Sequence, residues 1–188
     1  MTIQYLDGGF ADPARDAAHA FRAALQAMAR PGRIETITGT APPAPCSVAA
    51  ASLILTLCDT TTPLYLAPSH DTDGLRGWIT FHTGAPVTGP EQAMFGLGTW
   101  VALQPVTRFA PGTPEYPDRA ATLIVEMETL TEVGATLTGP GIETTSSLSL
   151  PEIAAFQANR RRFPLGFDTY LTCGDRLAGL PRSTTVEG

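Results

Sequence analysis

Apolar residues at helical spacing first appear after Asp12-Pro13, where an aspartate suited to the N-cap precedes a proline suited to the first helical position. Ala18, Phe21, Leu25 and Met28 follow at steps of three, four and three, which predicts a helix burying that stripe. Arg15, His19, Arg22 and Gln26 form a parallel polar stripe, and Pro31-Gly32 ends the run. Arg33 to Thr38 is short and β-branched and predicts a strand. Ser47 to Cys58 is apolar all round, as in a buried helix. A polar turn, Asp59 to Pro63, leads to a strand around Leu64 to Ala67. Trp78 to Thr83 fits either a strand or the end of a short helix. Pro90 to about Leu97 is expected to be helical, and Thr99 to Leu103 a strand.

Phe109 to Pro117, with three prolines and a glycine, is expected to be a loop. The clearest alternation is Ala120 to Glu128, where Leu123, Val125 and Met127 share one face. Leu137 to Gly141 closes a shorter strand. A last helix starts at Pro151 and ends in Arg160-Arg161-Arg162. Gly174-Asp175 suits a type II′ turn between strands Phe167 to Cys173 and Arg176 to Leu180. Helices interleaved with strands predict a single α/β domain over residues 1–188, a sandwich around a mixed sheet.

The sequence has no lysine: all 12 of its cationic side chains are arginines. This excludes an internal Schiff base with pyridoxal phosphate and a phosphate loop of the G-x-x-x-x-G-K-[ST] type. Anion recognition is left to arginine forks and backbone amides. A net charge of −6 argues against nucleic acid as a partner. Cys46, Cys58 and Cys173 lack the spacing of a disulfide framework or zinc ribbon, and the three histidines lack metal-ligand spacing, so no metal is expected. Met1 to Phe10 has neither the basic start nor the apolar run of a signal peptide, and Val48 to Cys58 is too short to span a bilayer. A cytoplasmic protein without membrane association is expected.

Glu126 and Glu128 lie two apart and read as a solvated or partner-facing strand face rather than an acid/base pair. Asp71 to Gly74 reads as a surface turn, because His82 stands where a calcium loop needs glutamate. Three glycine/proline clusters fall at the ends of expected strands: Phe81 to Pro86, Leu137 to Ile142 and Phe163 to Asp168. Ligands gather at strand ends in open α/β sheets, but tight turns need the same residues.

With their neighbours, these clusters carry a family resemblance. Asp16 to Arg22, Ala27 to Gly32, Leu55 to Asp59, Phe81-His82-Thr83, Ala121 to Ile124, Leu137-Thr138-Gly139, Phe163 to Gly166, Thr172-Cys173-Gly174 and Pro181-Arg182 occur in an order and spacing that resemble the PhnH family. That family is the H subunit of the bacterial carbon–phosphorus lyase system for phosphonate use. The resemblance implies a three-layer α/β/α sandwich, a reduced pyridoxal-phosphate-dependent transferase domain with no cofactor. It implies a homodimer in isolation and a stable core with the G, I and J subunits. The L subunit is implied as a functional partner when phosphonate displaces adenine from ATP to give ribose 1-phosphonate 5-triphosphate. It implies a subunit of that multi-subunit synthase rather than an enzyme acting alone.

Two roles follow from these residues. One is an interaction subunit that does no bond chemistry. The other is a catalytic or ligand-binding subunit, with His82 as acid/base and Asp168 as its orienter or a ribose ligand. Arg30 or Arg182 would then be a phosphate fork. The candidate ligand-binding positions are Arg30, Gly32, Asp59, Thr83, Gly139, Gly141, Arg182 and Thr184. Arg160, Arg161 and Arg162 read first as cations complementing a helix C-terminus, with a partner contact or an anion patch as alternatives.

Overall fold

The computed structural model describes residues 6–188. The elements run α1 (Pro13–Ala29), β1 (Ile34–Thr36), α2 (Val48–Leu57), β2 (Leu64–Leu66), α3 (Asp73–Thr83), β3 (Phe95–Thr99) and α4 (Trp100–Leu103). They continue through β4 (Thr122–Glu126), β5 (Ala135–Thr138), β6 (Ser146–Leu148), α5 (Ile153–Arg160), β7 (Asp168–Cys173), β8 (Arg176–Leu180) and β9 (Thr185–Glu187). Six strands form one sheet in the order β1-β8-β7-β4-β3-β2, and three form a second in the order β6-β5-β9. In the large sheet, β2, β3, β4 and β7 are parallel neighbours, and β8 runs antiparallel to both β7 and β1.

Alternation along the strands divides the core between the two faces of this sheet. Leu64, Leu66, Leu97, Ile124, Tyr170 and Leu177 pack with the buried residues of α1, α2 and α3. Leu123, Val125, Leu171, Ala178 and Leu180 point the other way, against α4, α5 and the small sheet. The result is a layered mixed α/β arrangement whose second outer layer combines helix and sheet. Among the described residues no helix is long and apolar enough to cross a membrane.

Helix α1 starts at the expected place, with the Asp12 carboxylate accepting from the Arg15 amide at 3.3 Å. Its buried face differs from the expected one. Ala20, Ala24 and Ala27 are buried, whereas Phe21 and Leu25 are 52% and 53% exposed. Small residues win because α1 lies close against β8: a Cβ on Gly179 would come within 2.6 Å of the Ala27 carbonyl carbon. A Phe or Leu on that face would hold the helix away from the sheet.

The region 90–103 is also corrected. Phe95–Thr99 is a strand and Trp100–Leu103 a helical turn, the reverse of the expectation. Gly96 and Gly98 hide the strand in the sequence, since they remove every second side chain. The structure needs those gaps, because a Cβ on Gly96 would meet the Phe109 ring at 2.8 Å. Trp78 to Thr83 resolves as the end of α3, which is capped by Thr72 Oγ1 accepting from the Leu75 amide at 3.2 Å. The short strands β6 and β9 have no counterpart in the sequence reading. At the β7–β8 hairpin, Gly174 has φ +61° and Asp175 has no positive φ, which agrees with a type II′ turn.

Candidate functional site

The residues singled out in the sequence separate into three places. Asp168 opens β7, and Arg182 follows β8. The Asp168 carboxylate accepts from the Arg182 backbone N–H (2.8 Å), Nε (3.1 Å) and Nη2 (2.6 Å). Nη1 of the same guanidinium donates to the Pro117 carbonyl at 2.7 Å. Arg182 is thereby held as a clamp between β7, β8 and the 117 turn instead of standing free as a phosphate fork. The clamp lines an open groove of about 340 Å³ together with Pro117, Phe163, Pro164 and Pro181. Thr184 is buried just beyond it, and its backbone N–H donates to the Pro181 carbonyl at 2.9 Å.

His82 sits elsewhere, in the last turn of α3. Its ring lies 4.8 Å from the Trp78 ring centroid and edge-on to Phe81 at 4.9 Å. The backbone at Gly9 passes directly over it, so that a Cβ there would approach the ring to 2.6 Å. The expected pairing of His82 with Asp168 is not formed, because the two side chains have separate surroundings. Thr83 Oγ1 donates to the Ile79 carbonyl (2.8 Å) and accepts from the Ala85 amide (3.0 Å), which closes the helix end. Asp59 accepts from the Thr61 hydroxyl and amide (2.7 Å each) and from the Thr62 hydroxyl (3.0 Å). These hydrogen bonds hold its carboxyl below the ordinary aspartate value. Asp59 and Thr83 therefore maintain turns.

Arg30, Gly32 and Gly141 do converge. They line one open groove of about 420 Å³ with Glu132, Glu143 and Ser146. Gly32 (φ +92°) and Gly141 (φ +84°) allow the 141–147 segment to lie against the end of α1. Gly139 stands apart, against the backbone of Ser183 and Thr184. The groove offers an exposed guanidinium beside carboxylates and hydroxyls. Arg30 caps the C-terminal end of α1, where the helix dipole is negative and opposes an anion. Its chemistry suits a mixed polar surface better than a phosphate cradle.

A further cluster, centred on Glu126 and His70, escaped the sequence reading. At the carboxyl ends of the parallel strands, Glu126 Oε1 accepts from the Ser47 backbone N–H at 2.7 Å, and Oε2 accepts from Thr172 Oγ1 at 2.9 Å. The carboxylate so placed caps α2 and favours the positive end of its dipole. His70 is 2% exposed; its Nε2 lies 3.8 Å from Glu126 Oε1. Ser69 Oγ accepts from the Thr99 amide (3.1 Å) and lies 3.0 Å from His70 Nδ1. His70 Nε2 thus faces the Glu126 carboxylate from a buried position, with no hydrogen-bond partner of its own among the described residues. Burial pushes the Cys46 thiol well up, and Glu126 adds to the shift. Glu126 is therefore not a solvated strand residue. The legible signal was its parity with the inward-facing Ile124; what covers that strand end was not legible. Among the described residues, no group of three or more metal-ligating side chains comes together.

Comparison with known proteins places these features in context. Residues 8–187 match the family model described as bacterial phosphonate metabolism protein (PhnH). The chain is 42% identical over 196 residues to the alpha-D-ribose 1-methylphosphonate 5-triphosphate synthase subunit PhnH of Rhizobium meliloti, covering 98% of this chain and 96% of the relative. It is 30% identical over 173 residues to the putative C-P lyase subunit protein HtxG of Stutzerimonas stutzeri, covering 89% of this chain and 84% of the relative.

Proposed function

The chain belongs to the PhnH family of bacterial phosphonate-metabolism proteins, and on that premise we propose that it is an interaction subunit of a carbon–phosphorus lyase assembly. In this reading it supports formation of ribose 1-phosphonate 5-triphosphate from ATP and phosphonate without carrying out the bond chemistry. Its partners are the G, I and J subunits in a cytoplasmic core complex, with L acting alongside, and alone it forms a homodimer. The fold is read as a reduced pyridoxal-phosphate-dependent transferase domain. The sequence has no lysine to bind that cofactor, so titration with pyridoxal phosphate is expected to give no internal-aldimine absorbance.

One observation carries the proposal. The charged residue best placed to grip a phosphate, Arg182, is already spent on Asp168 and the Pro117 carbonyl. The test is phosphonate-dependent growth of cells whose only copy of this subunit carries His82→Asn. Growth and assembly are expected to persist. An assembled complex that no longer supports growth would contradict the reading.

The exposed Arg30 favours a second reading, a subunit that contacts ATP or a ribose phosphonate. The contact would run through the Arg30 groove or the turns bearing His82, Asp168 and Arg182. Calorimetry with millimolar ATP would show specific binding that Arg30→Ala weakens. Heats indistinguishable from dilution would exclude this reading.

A further inference from the structure

The groove under the Asp168–Arg182 clamp has a rim that the clamp itself does not explain. Its floor is apolar, formed by Pro117, Pro164, Pro181 and Phe163. Phe163 is 50% exposed, as is Tyr116, the residue before Pro117. Each ring is backed by a guanidinium: Arg160 lies 5.0 Å from the Phe163 ring centroid, and Arg119 lies 4.0 Å from that of Tyr116. Arg161 and Arg162 are exposed and directly precede Phe163. The ion pairs among the described residues use Arg33, Arg76 and Arg182, and none of these four rim arginines.

This concentration runs against the chain as a whole. The molecule carries −6 with only 12 arginines, yet four of them adjoin this groove in the chain, Arg119 beside the lining Asp118 and Arg160 to Arg162 just before the lining Phe163, where the carboxylates outside the clamp are Asp118 and Glu115. Helix-dipole compensation accounts for Arg160 in the last turn of α5 and Arg161 at its C-cap, not for the exposed Arg162 or for Arg119. Exposed aromatic rings with a guanidinium over each, beside an apolar floor, are the residue types that dominate protein–protein contacts. A basic rim selects an acidic partner and steers it.

We propose that this groove is the docking site for an acidic, extended segment of a partner protein chain. An apolar side chain of that segment would lie against Phe163 and Pro181, and its carboxylates would meet Arg119, Arg161 and Arg162. The proposal rests on the subunit reading above and adds the surface and the chemistry of its partner.

The test is co-expression of the tagged chain with the G, I and J subunits, followed by affinity capture across a salt series. Wild type is compared with Arg161→Glu/Arg162→Glu, with Phe163→Ala, and with Phe21→Ser/Leu25→Ser on the opposite layer. Circular dichroism confirms that each variant is folded. The expected result is capture by wild type that weakens as salt rises, roughly a tenfold or greater loss in the first two variants, and no loss in the third. Undiminished capture by both groove variants would overturn the proposal while leaving the subunit reading intact. Capture by none of the proteins, wild type included, would refute the subunit reading and the groove with it. Displacement of the partners by millimolar ATP at constant ionic strength would show instead that the groove takes a nucleotide, and would also overturn the proposal.

Discussion

Asp168 and Arg182 illustrate how a residue that looks like a ligand group becomes a structural one. Their exposures are low enough that removing either strands the other, and breaking such a pair is costly because the remaining charge loses its partner. Asp168→Ala is expected to destabilise the fold by about 2 kcal/mol. A double-mutant cycle with Arg182→Ala should show a coupling of about 1 kcal/mol or more, read by denaturant unfolding. Additive single effects would mean that the clamp is not formed. Glu126→Ala removes the acceptor of the Ser47 amide and of Thr172, and a loss of about 1–2 kcal/mol is expected by the same measurement. The buried acids also set a pH dependence. Burial pushes the Cys58 thiol from 9.0 up to about 12 and the Tyr170 phenol from 10.0 to about 12, and Cys46 is also raised. The folded chain keeps protons that the unfolded chain releases. Stability from these groups is therefore intact below pH 9 and is lost as pH rises toward 12. Thermal melts should fall through that window, and less steeply for Cys58→Ala. An unchanged slope would remove Cys58 as a contributor.

At the scale of elements, α1 shows what hydrophobic periodicity can and cannot tell. Its boundaries, its cap and its helical period were all legible. The buried face was not, because two stripes repeat at helical spacing and the more hydrophobic one is the exposed one. What decides between them is Gly179 on β8, which is far away in sequence and permits an approach only alanines can use. Gly179→Ala is expected to destabilise the fold by about 2 kcal/mol or more, since the new methyl meets α1 backbone that has no rotamer to change. Phe21→Ser/Leu25→Ser is expected to change stability by about 0.5 kcal/mol or less. The opposite ranking in urea titrations would mean that α1 packs on its Phe/Leu stripe. The β3–α4 exchange has the same origin: Gly96 and Gly98 erase an alternation whose missing side chains are supplied by Phe109, Leu123 and Leu103. The equally short β1 and β2 sit in longer β-branched or apolar runs, whereas β6 (Ser146–Leu148) and β9 (Thr185–Glu187) each hold a single apolar residue and so show no alternation to read. The candidate positions were legible as turns, and Arg30, Gly32 and Gly141 do meet. Only long-range contacts reveal that His82 and Asp168 lie apart and that Arg182 is occupied.

For the molecule as a whole, the family assignment and the geometry point the same way. The chain matches its PhnH relative across 98% of its own length, and that relative is a synthase subunit. Its own polar side chains are largely engaged in holding turns, caps and one clamp. What remains accessible is surface, in particular the polar groove at the end of α1 and the arginine-rimmed groove. Two distinct grooves suit a subunit with more than one neighbour. The most direct measurement is native mass spectrometry of this chain co-expressed with the G, I and J subunits. A discrete assembly whose mass requires this chain together with those subunits is the predicted result. A chain found only alone or as a homodimer, while the other subunits assemble without it, would contradict the account.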